Sequence, residues 1–174
     1  MAVQFRRAFP DAELIVLSGK PHPLGRTESI RNIAGQSDVI EFLRPMKAEI
    51  ARWEAEGTAQ PAMWVFDEAD SLLVNDTISD VLNSSHLQWR GANLMVVATL
   101  SASAAERYYQ AWFRSAQSAK QGLLLAPTDL ATNGNLLGEK LPSRSRLELV
   151  AGRGFLQTRQ GYQLVQCAAL APKS

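Results

Sequence analysis

Short apolar runs alternate with longer polar segments along the first two thirds of the chain. Four of these runs have the length and composition of buried strands, and they cover residues 13–17, 63–67, 94–99 and 122–125. Continuous apolar runs of this length are typical of strands in a parallel sheet, which is covered on both faces. Strands that alternate with helical segments predict an α/β domain with a mainly parallel sheet.

A helix is predicted to begin at Asp38, where Glu41 three residues later completes a capping box. Pro45 lies inside this helical pattern, so we expect it to kink or divide the helix. The apolar positions of the pattern have the spacing of one helical face and are expected to pack in the core. They are Val39, Leu43, Met46, Ile50 and Trp53.

A further helix is predicted from Ser103, with Glu106 completing a second capping box and Tyr108, Trp112, Ala116 and Ala119 on one side. Residues 2–9 have the character of a helix end, stopped at Pro10. Near the carboxyl terminus, Gln160 and Gly161 separate two short apolar runs, which predicts a β-hairpin.

Length and composition limit the possible classes of protein. A chain of 174 residues with 46% hydrophobic and 20% charged residues predicts one soluble globular domain. The net charge of +1 gives no general affinity for nucleic acid. Four arginines lie close together in sequence and could form either a local basic patch or a solvated loop: Arg144, Arg146, Arg153 and Arg159. The longest apolar stretches are too short to span a bilayer, and no secretory signal is evident, so we expect a cytoplasmic protein.

Cysteine and histidine are too rare for several kinds of site. The single cysteine, Cys167, excludes an internal disulfide and a multi-cysteine zinc site, and it lies in an apolar run. His22 and His86 are far apart in sequence, which argues against a histidine-based metal cluster. No local signature of a Ser-His-Asp or Cys-His catalytic set is present.

The segment MWVFDEADSLL places two adjacent carboxylates, Asp67 and Glu68, directly after an apolar strand. Ligands of open parallel sheets bind outside the carboxyl ends of the strands. A carboxylate there can hold Mg²⁺, and a second one can orient or deprotonate an attacking water. The same pair would also suit the positive end of a following helix, so the pattern alone leaves both interpretations open.

A phosphate-binding loop of the type G-x-x-x-x-G-K-[ST] does not occur in the sequence. Gly19 and Lys20 are followed by Pro21, which lacks both an amide proton and a hydroxyl group. Gly25 is followed by a basic residue and Thr27, but the spacing from Gly19 does not match the motif. We therefore expect the loop to precede residue 1, with residues 2–9 as the end of the helix that follows it.

In this order, several segments resemble a known family. They are WVFDEADSLL, ANLMVVATLSASAAERYYQAWFRSAQSAKQGLLLAP, GNLLGEKLPSRS and VAGRGFLQTRQGYQLVQCA. Over residues 12–168 the chain resembles FtsK/SpoIIIE-type ATPase domains, in particular the carboxyl-terminal ATPase modules of EccC, the motor of actinobacterial type VII secretion systems. The resemblance implies a RecA-like P-loop NTPase core lacking its phosphate-loop strand, plus a C-terminal β-hairpin.

The resemblance also implies cofactors, partners and location. They are ATP and Mg²⁺, neighbouring ATPase modules within a hexamer, a secreted substrate's signal helix, and the cytoplasmic face of the cell membrane reached through partners. Asp67 would be the Mg²⁺-associated Walker B carboxylate, Glu68 the catalytic glutamate, and Thr99 a sensor of the γ-phosphate. Arg107, Arg114 and Arg153 are candidates for an arginine finger. Leu100 and Ser101 stand where DNA-translocating relatives tend to have Gln or Arg.

Two other interpretations remain open. The first is a non-hydrolysing docking module. One predicted helix carries four aromatic side chains that could line a groove for a partner helix, and they are Tyr108, Tyr109, Trp112 and Phe113. The same residues would equally serve as core. Alternatively, the chain is a remnant that folds only against a partner, because a missing central strand would leave sheet edges unpaired.

Overall fold

A computed structural model describes residue 5 and residues 7–21, 30–57, 60–107, 110–119, 122–125, 134–137, 141, 152–158 and 160–167. The chain forms two compact units, Met1–Ala104 and Ala105–Ser174. The first unit contains a parallel sheet with helices, and the second contains an antiparallel sheet. A single ATPase domain over residues 1–174 stays a prediction.

Four parallel strands form the sheet of the first unit, in the order β2-β1-β3-β4. They are β1 Glu13–Ser18, β2 Arg31–Ala34, β3 Ala62–Asp67 and β4 Leu94–Ala98. In the central register, Val16 lies opposite Val65, which in turn lies opposite Val97. The sheet confirms the prediction of a mainly parallel α/β fold, and the three apolar runs at residues 13–17, 63–67 and 94–99 form β1, β3 and β4.

Five helices follow the strands of this unit in the described part of the chain. They are α1 Gln36–Leu43, α2 Met46–Glu56, α3 Ala69–Leu72, α4 Asp76–Ser85 and α5 Ala102–Ala105. Pro45 separates α1 from α2, as predicted. The predicted start at Asp38 is wrong, because α1 begins after Gly35, whose N–H donates to the Ser18 carbonyl oxygen at 2.9 Å and fixes the turn from β2.

The core of the first unit lies between β1, β3 and the helices. Ile15 and Leu17 of β1 and Phe66 of β3 are at most 1% exposed. Burying a side chain of this size stabilises the fold by about 1.5–3 kcal/mol. Helices contribute further fully buried side chains, which are Val39, Leu43, Ile50, Leu72, Ile78 and Leu82.

Phe5 anchors the amino-terminal segment on this core. Phe5, Arg7 and Ala8 are helical, and the N–H of Phe9 donates to the Phe5 carbonyl oxygen at 2.9 Å. Phe5 is buried in a cluster with Leu14 and other apolar side chains. These residues agree with the predicted helix end before Pro10.

Three antiparallel strands form the sheet of the second unit, in the order β5-β6-β7. They are β5 Gly122–Leu125, β6 Arg153–Thr158 and β7 Gly161–Gln166, which confirms the predicted hairpin and a strand at 122–125. The expectation that this strand is buried in the parallel sheet is wrong, because β5 runs antiparallel to β6 and alternates between partly buried and exposed residues. β5 therefore pairs with the hairpin. A Cβ atom at Gly154 would overlap the backbone of Leu124, so glycine permits this close approach.

The single helix predicted from Ser103 to Ala119 is wrong. α5 ends at Ala105, and α6 Ala111–Ser118 begins after Gln110, whose backbone is extended at φ −70° and ψ 150°. The side chain that caps α5 is Ser101, which accepts the N–H of Ala104 at 3.3 Å. Tyr108 and Tyr109 lie outside the described residues. Among the helices that the structure describes, none has the length and apolar character needed to cross a bilayer.

Candidate functional site

The carboxyl ends of three neighbouring strands meet at one edge of the parallel sheet. β1 ends at Ser18, β3 at Asp67 and β4 at Ala98. Glu68 and Thr99 directly follow β3 and β4, so the chain places both beside Asp67. This edge is where open parallel sheets bind ligands.

Thr99 connects the two adjacent carboxylate residues. Its Oγ1 donates to Asp67 Oδ1 at 2.9 Å and accepts the backbone N–H of Glu68 at 2.9 Å. The Thr99 backbone is itself held, because its N–H donates to the Phe66 carbonyl oxygen at 2.9 Å and its carbonyl oxygen accepts from Ala69 at 2.8 Å. The hydroxyl group of Thr99 thus has a fixed position and orients the Asp67 carboxylate.

Glu68 has a left-handed backbone conformation, with φ 49° and ψ 48°. A non-glycine residue in this region costs about 1–2 kcal/mol. The conformation is held by the Thr99 bond and by Ser71, whose Oγ and N–H both donate to the Glu68 carbonyl oxygen, at 2.8 and 2.9 Å. Such strain is characteristic of functional sites, where the surrounding structure holds it in place.

Lys20 forms an ion pair with Glu68 at this edge. The distance from Lys20 Nζ to Glu68 Oε2 is 2.9 Å, and both side chains are largely exposed. The hydrogen bond to Glu68, followed by the Glu68 charge, raises the pKa of Lys20 above its ordinary value; partial desolvation opposes the rise, and the Asp67 charge adds to it. The first residue after Gly19 thus supplies a positive charge to the acidic edge.

An open depression of about 540 Å³ lies beside these residues. Its lining consists of Glu68, Asp70, Ser71, Thr99, Leu100 and Ser101. The Oγ of Ser101 donates to Asp70 Oδ2 at 3.1 Å, which holds the loop after β4 against the start of α3. Two carboxylates, those of Glu68 and Asp70, thus line the depression.

The structure brings together Asp67, Glu68 and Thr99, the three candidates predicted on this sheet. The arginine-finger candidates Arg107, Arg114 and Arg153 belong to the second unit; Arg114 lies in α6, and Arg153 donates from Nε to Gln166 Oε1 at 3.2 Å. Their roles stay predictions.

Trp112, proposed from the sequence as a partner-binding residue, is 4% exposed, and its Nε1 donates to Gln110 Oε1 at 2.9 Å. Its burial argues against an exposed partner-binding role. Tyr108 and Tyr109 belong to the same prediction and fall outside the described residues.

Sequence reasoning missed Lys20, Ser71 and Ser101. In the sequence, Lys20 does not fit a phosphate loop because Pro21 follows it, and the local pattern gives it no other role. Its position two residues after the end of β1, a strand that neighbours β3, is the signal that points to this edge of the sheet. Ser101 comes three residues after the end of β4.

The residues at the edge suit Mg²⁺ only when a second group supplies part of the coordination. The Asp67 carboxylate is a hard oxygen donor, and proteins commonly hold Mg²⁺ by one or two carboxylates together with substrate phosphates. Within the described ranges, no group of three His, Cys, Asp or Glu side chains is placed to hold a metal by itself. Residues 22–29, which include Gly25 and Thr27, lie outside those ranges.

The fold is similar to that of type VII secretion ATPases. The structure of Thermomonospora curvata EccC (ATPases 2 and 3) in complex with a signal sequence peptide has a TM-score of 0.74 and 22% identity, over 92% of this chain and 31% of that one. EssC (ATPases 2 and 3) from Geobacillus thermodenitrificans has a TM-score of 0.68 and 15% identity, over 88% and 30% of the two chains.

The cytoplasmic domain of the Thermomonospora curvata type VII secretion ATPase EccC has a TM-score of 0.70 and 18% identity, over 92% of this chain and 20% of that one. No protein-family model and no curated protein matches the sequence. The chain thus spans less than a third of each of these solved structures. These likenesses confirm that the chain has the fold of an EccC-type ATPase domain, as the resemblance implied.

Proposed function

We propose that the chain is part of an FtsK/EccC-type ATPase module of a type VII secretion motor and carries the Walker B half of its nucleotide site. The observation that carries this proposal is the arrangement of Asp67, Glu68 and Thr99, which two 2.9 Å hydrogen bonds hold at the carboxyl edge of the parallel sheet. Neighbouring ATPase modules and a secreted substrate would be its partners, at the cytoplasmic face of the membrane.

Each residue of the arrangement has a role in this proposal. Asp67 would hold Mg²⁺ together with the phosphates of ATP, and Glu68 would orient or deprotonate the attacking water. Thr99 would link the two, because its hydroxyl group contacts the carboxylate of one and the backbone of the other. Bound MgATP would supply the reactive phosphoryl group.

The phosphate loop would come from residues outside this sequence. Within the described part of the chain, β4 pairs with β3 on one side, and no strand pairs with its other side. Edge strands of natural sheets are commonly protected from further pairing by charged residues or proline. The sequence of β4, LMVVA, contains neither. We propose that the phosphate-loop strand pairs there, so ATP hydrolysis by this chain alone is not expected.

Mg²⁺-dependent ATP hydrolysis tests the proposal when it is measured on this chain and on a longer protein that includes a phosphate loop. We expect hydrolysis from the longer protein only, and Glu68→Gln in that protein to lower kcat by about 10²–10⁴-fold. Glu56→Gln, at an exposed position of α2, is the matched control and should leave kcat unchanged. Full activity of the Glu68→Gln protein would contradict the role of Glu68.

An apolar face of the second sheet favours docking as an alternative function. Leu123 and Leu125 are exposed on β5, and the register places Leu156 and Val165 on the same face. An amphipathic helix, such as the signal helix of a secreted protein, can bind such a face. EccC of Thermomonospora curvata was solved with a signal sequence peptide.

Titration with signal peptides tests the docking alternative. Leu125→Lys should abolish binding if the face is the docking site. Leu164→Lys is the matched control, because Leu164 is similarly exposed but lies opposite Phe155 on the other face. Equal loss of binding in both variants would argue against this face.

A further inference from the structure

The backbone of Lys20 is held within its own turn, and this turn lies beside the start of α3. Ser18 is buried, and its Oγ donates to the Lys20 carbonyl oxygen at 2.6 Å. Gly19 passes so close to α3 that a Cβ atom there would lie 2.9 Å from Ser71 Oγ. Since Ser71 also bonds the Glu68 carbonyl oxygen, the turns that carry Lys20 and Glu68 are held beside each other.

The side chains of Lys20 and Glu68 are exposed to solvent and can change partners, whereas the backbones of both residues are held in place. The side chains of Lys20 and Glu68 are 71% and 55% exposed. An exposed ion pair contributes little to stability because water screens it. A lysine ammonium is a compact charge with three donors on a flexible stem, so it can turn from one acceptor to another at small cost.

The charges at the edge make Lys20 a point of attraction for a phosphate-bearing ligand. Asp67, Glu68 and Asp70 bring three carboxylates to the depression or its rim. These carboxylates repel a polyphosphate, whereas the Lys20 ammonium attracts it. The same ammonium is bonded to Glu68 at 2.9 Å, so the ligand and Glu68 compete for it.

We infer that Lys20 is a positioning residue with two alternating partners, the Glu68 carboxylate when no ligand is bound and the phosphate groups of a polyphosphate when one is bound. Binding of the phosphates would release the Glu68 side chain toward the depression. This inference rests on the proposed function of the edge as a nucleotide site.

NMR titration of the Lys20 side chain in the 174-residue chain tests the pair itself. Glu68→Gln should lower the pKa of Lys20 toward its ordinary value, because Glu68 is the largest cause of its rise. Asp80→Asn is the matched control, since Asp80 pairs with Lys47 at 3.9 Å elsewhere in the same unit. A Lys20 titration that is the same in wild type and Glu68→Gln overturns the inference.

A double-mutant cycle with inorganic tripolyphosphate as the probe tests the exchange of partners. With Lys20 present, Glu68→Gln should tighten tripolyphosphate binding by a factor of about two to five. In the Lys20→Met background, the same substitution should tighten binding clearly less. Asp70→Asn, which removes a carboxylate of the same depression, should have equal effects in both backgrounds. Lys20→Arg should retain the coupling with Glu68.

The outcomes separate this inference from the proposed function. Equal effects of Glu68→Gln in both backgrounds, or no response of the Lys20 signals to tripolyphosphate, overturn the inference even if a longer protein hydrolyses ATP. Coupling between Lys20 and Glu68 without ATP hydrolysis by any longer protein supports the exchange of partners and contradicts the ATPase proposal alone.

Discussion

The hydroxyl group of Thr99 donates to Asp67 Oδ1 at 2.9 Å, so the residue after β4 sets the direction of the carboxylate at the end of β3. The same oxygen accepts the N–H of Glu68. The Thr99 side chain therefore contacts both residues of the acidic pair, and Ser71 also holds the backbone of Glu68.

Replacing Thr99 with Val removes the hydroxyl group but keeps the size of the side chain. We expect the free energy of unfolding to fall by about 0.5–1.5 kcal/mol, because the hydrogen bonds to Asp67 and Glu68 are lost. Urea denaturation measures the change. Thr99→Ser retains the hydroxyl group and should be closer to wild type; a Ser variant as destabilised as Val would show that the methyl group matters instead.

The left-handed backbone of Glu68 predicts that glycine at this position is more stable than alanine. Glu68→Gly should be more stable than Glu68→Ala by about 1 kcal/mol, since both lack the carboxylate and only Ala retains the Cβ strain. Thermal or urea unfolding of the two variants measures the difference. Asn93, with φ 50°, is a second site for the same comparison. Equal stability of Gly and Ala at position 68 would contradict the left-handed conformation.

The Lys20–Glu68 pair predicts a pH dependence at alkaline pH. The pKa of Lys20 is raised above 10.5, so the protonated amine stabilises the folded state fully below that value. This contribution is lost as pH rises through the folded-state pKa. Unfolding from about pH 9 to about pH 11.5 should therefore show a smaller alkaline loss of stability in Glu68→Gln than in wild type. Identical profiles would argue against the pair.

The close approach of β5 and β6 predicts that the second sheet does not tolerate a side chain at Gly154. Gly154→Ala should destabilise it by about 1–3 kcal/mol, because the added methyl group overlaps the backbone of Leu124. Hydrogen exchange of the amides in β5 and β6 measures the effect locally. Gln163→Ala, at an exposed position of β7, is the control and should leave exchange unchanged.

Strands with continuous apolar runs were predictable from the sequence, whereas contacts between distant segments were not. β1, β3 and β4 are such runs, and Asp67 and Glu68 follow one of them directly. β2 was missed because Arg31–Ala34 has only four residues, is partly exposed and contains no continuous apolar run. The start of α1 after Gly35 depends on the bond from the Gly35 N–H to Ser18, which no local pattern reveals.

The site shows the same division between local and tertiary information. The carboxylates at the end of β3 are a local pattern. The bonds of Thr99 to Asp67 and of Lys20 to Glu68 depend on the order of strands in the sheet, which places the ends of β1 and β4 on either side of β3. Strand order follows from packing of the whole unit, and one sequence without its relatives does not specify it.

All four strands run in one direction, so their amino-terminal ends lie on the side of the sheet opposite the acidic edge. These ends are a suitable place to attach a label or a surface linker. The exposed Gln60 precedes β3, whose six residues, ending in Asp67, span about 20 Å. A dye or biotin coupled there would leave the acidic edge facing solvent. The tripolyphosphate titrations proposed above would then be measured on a molecule whose acidic edge is accessible.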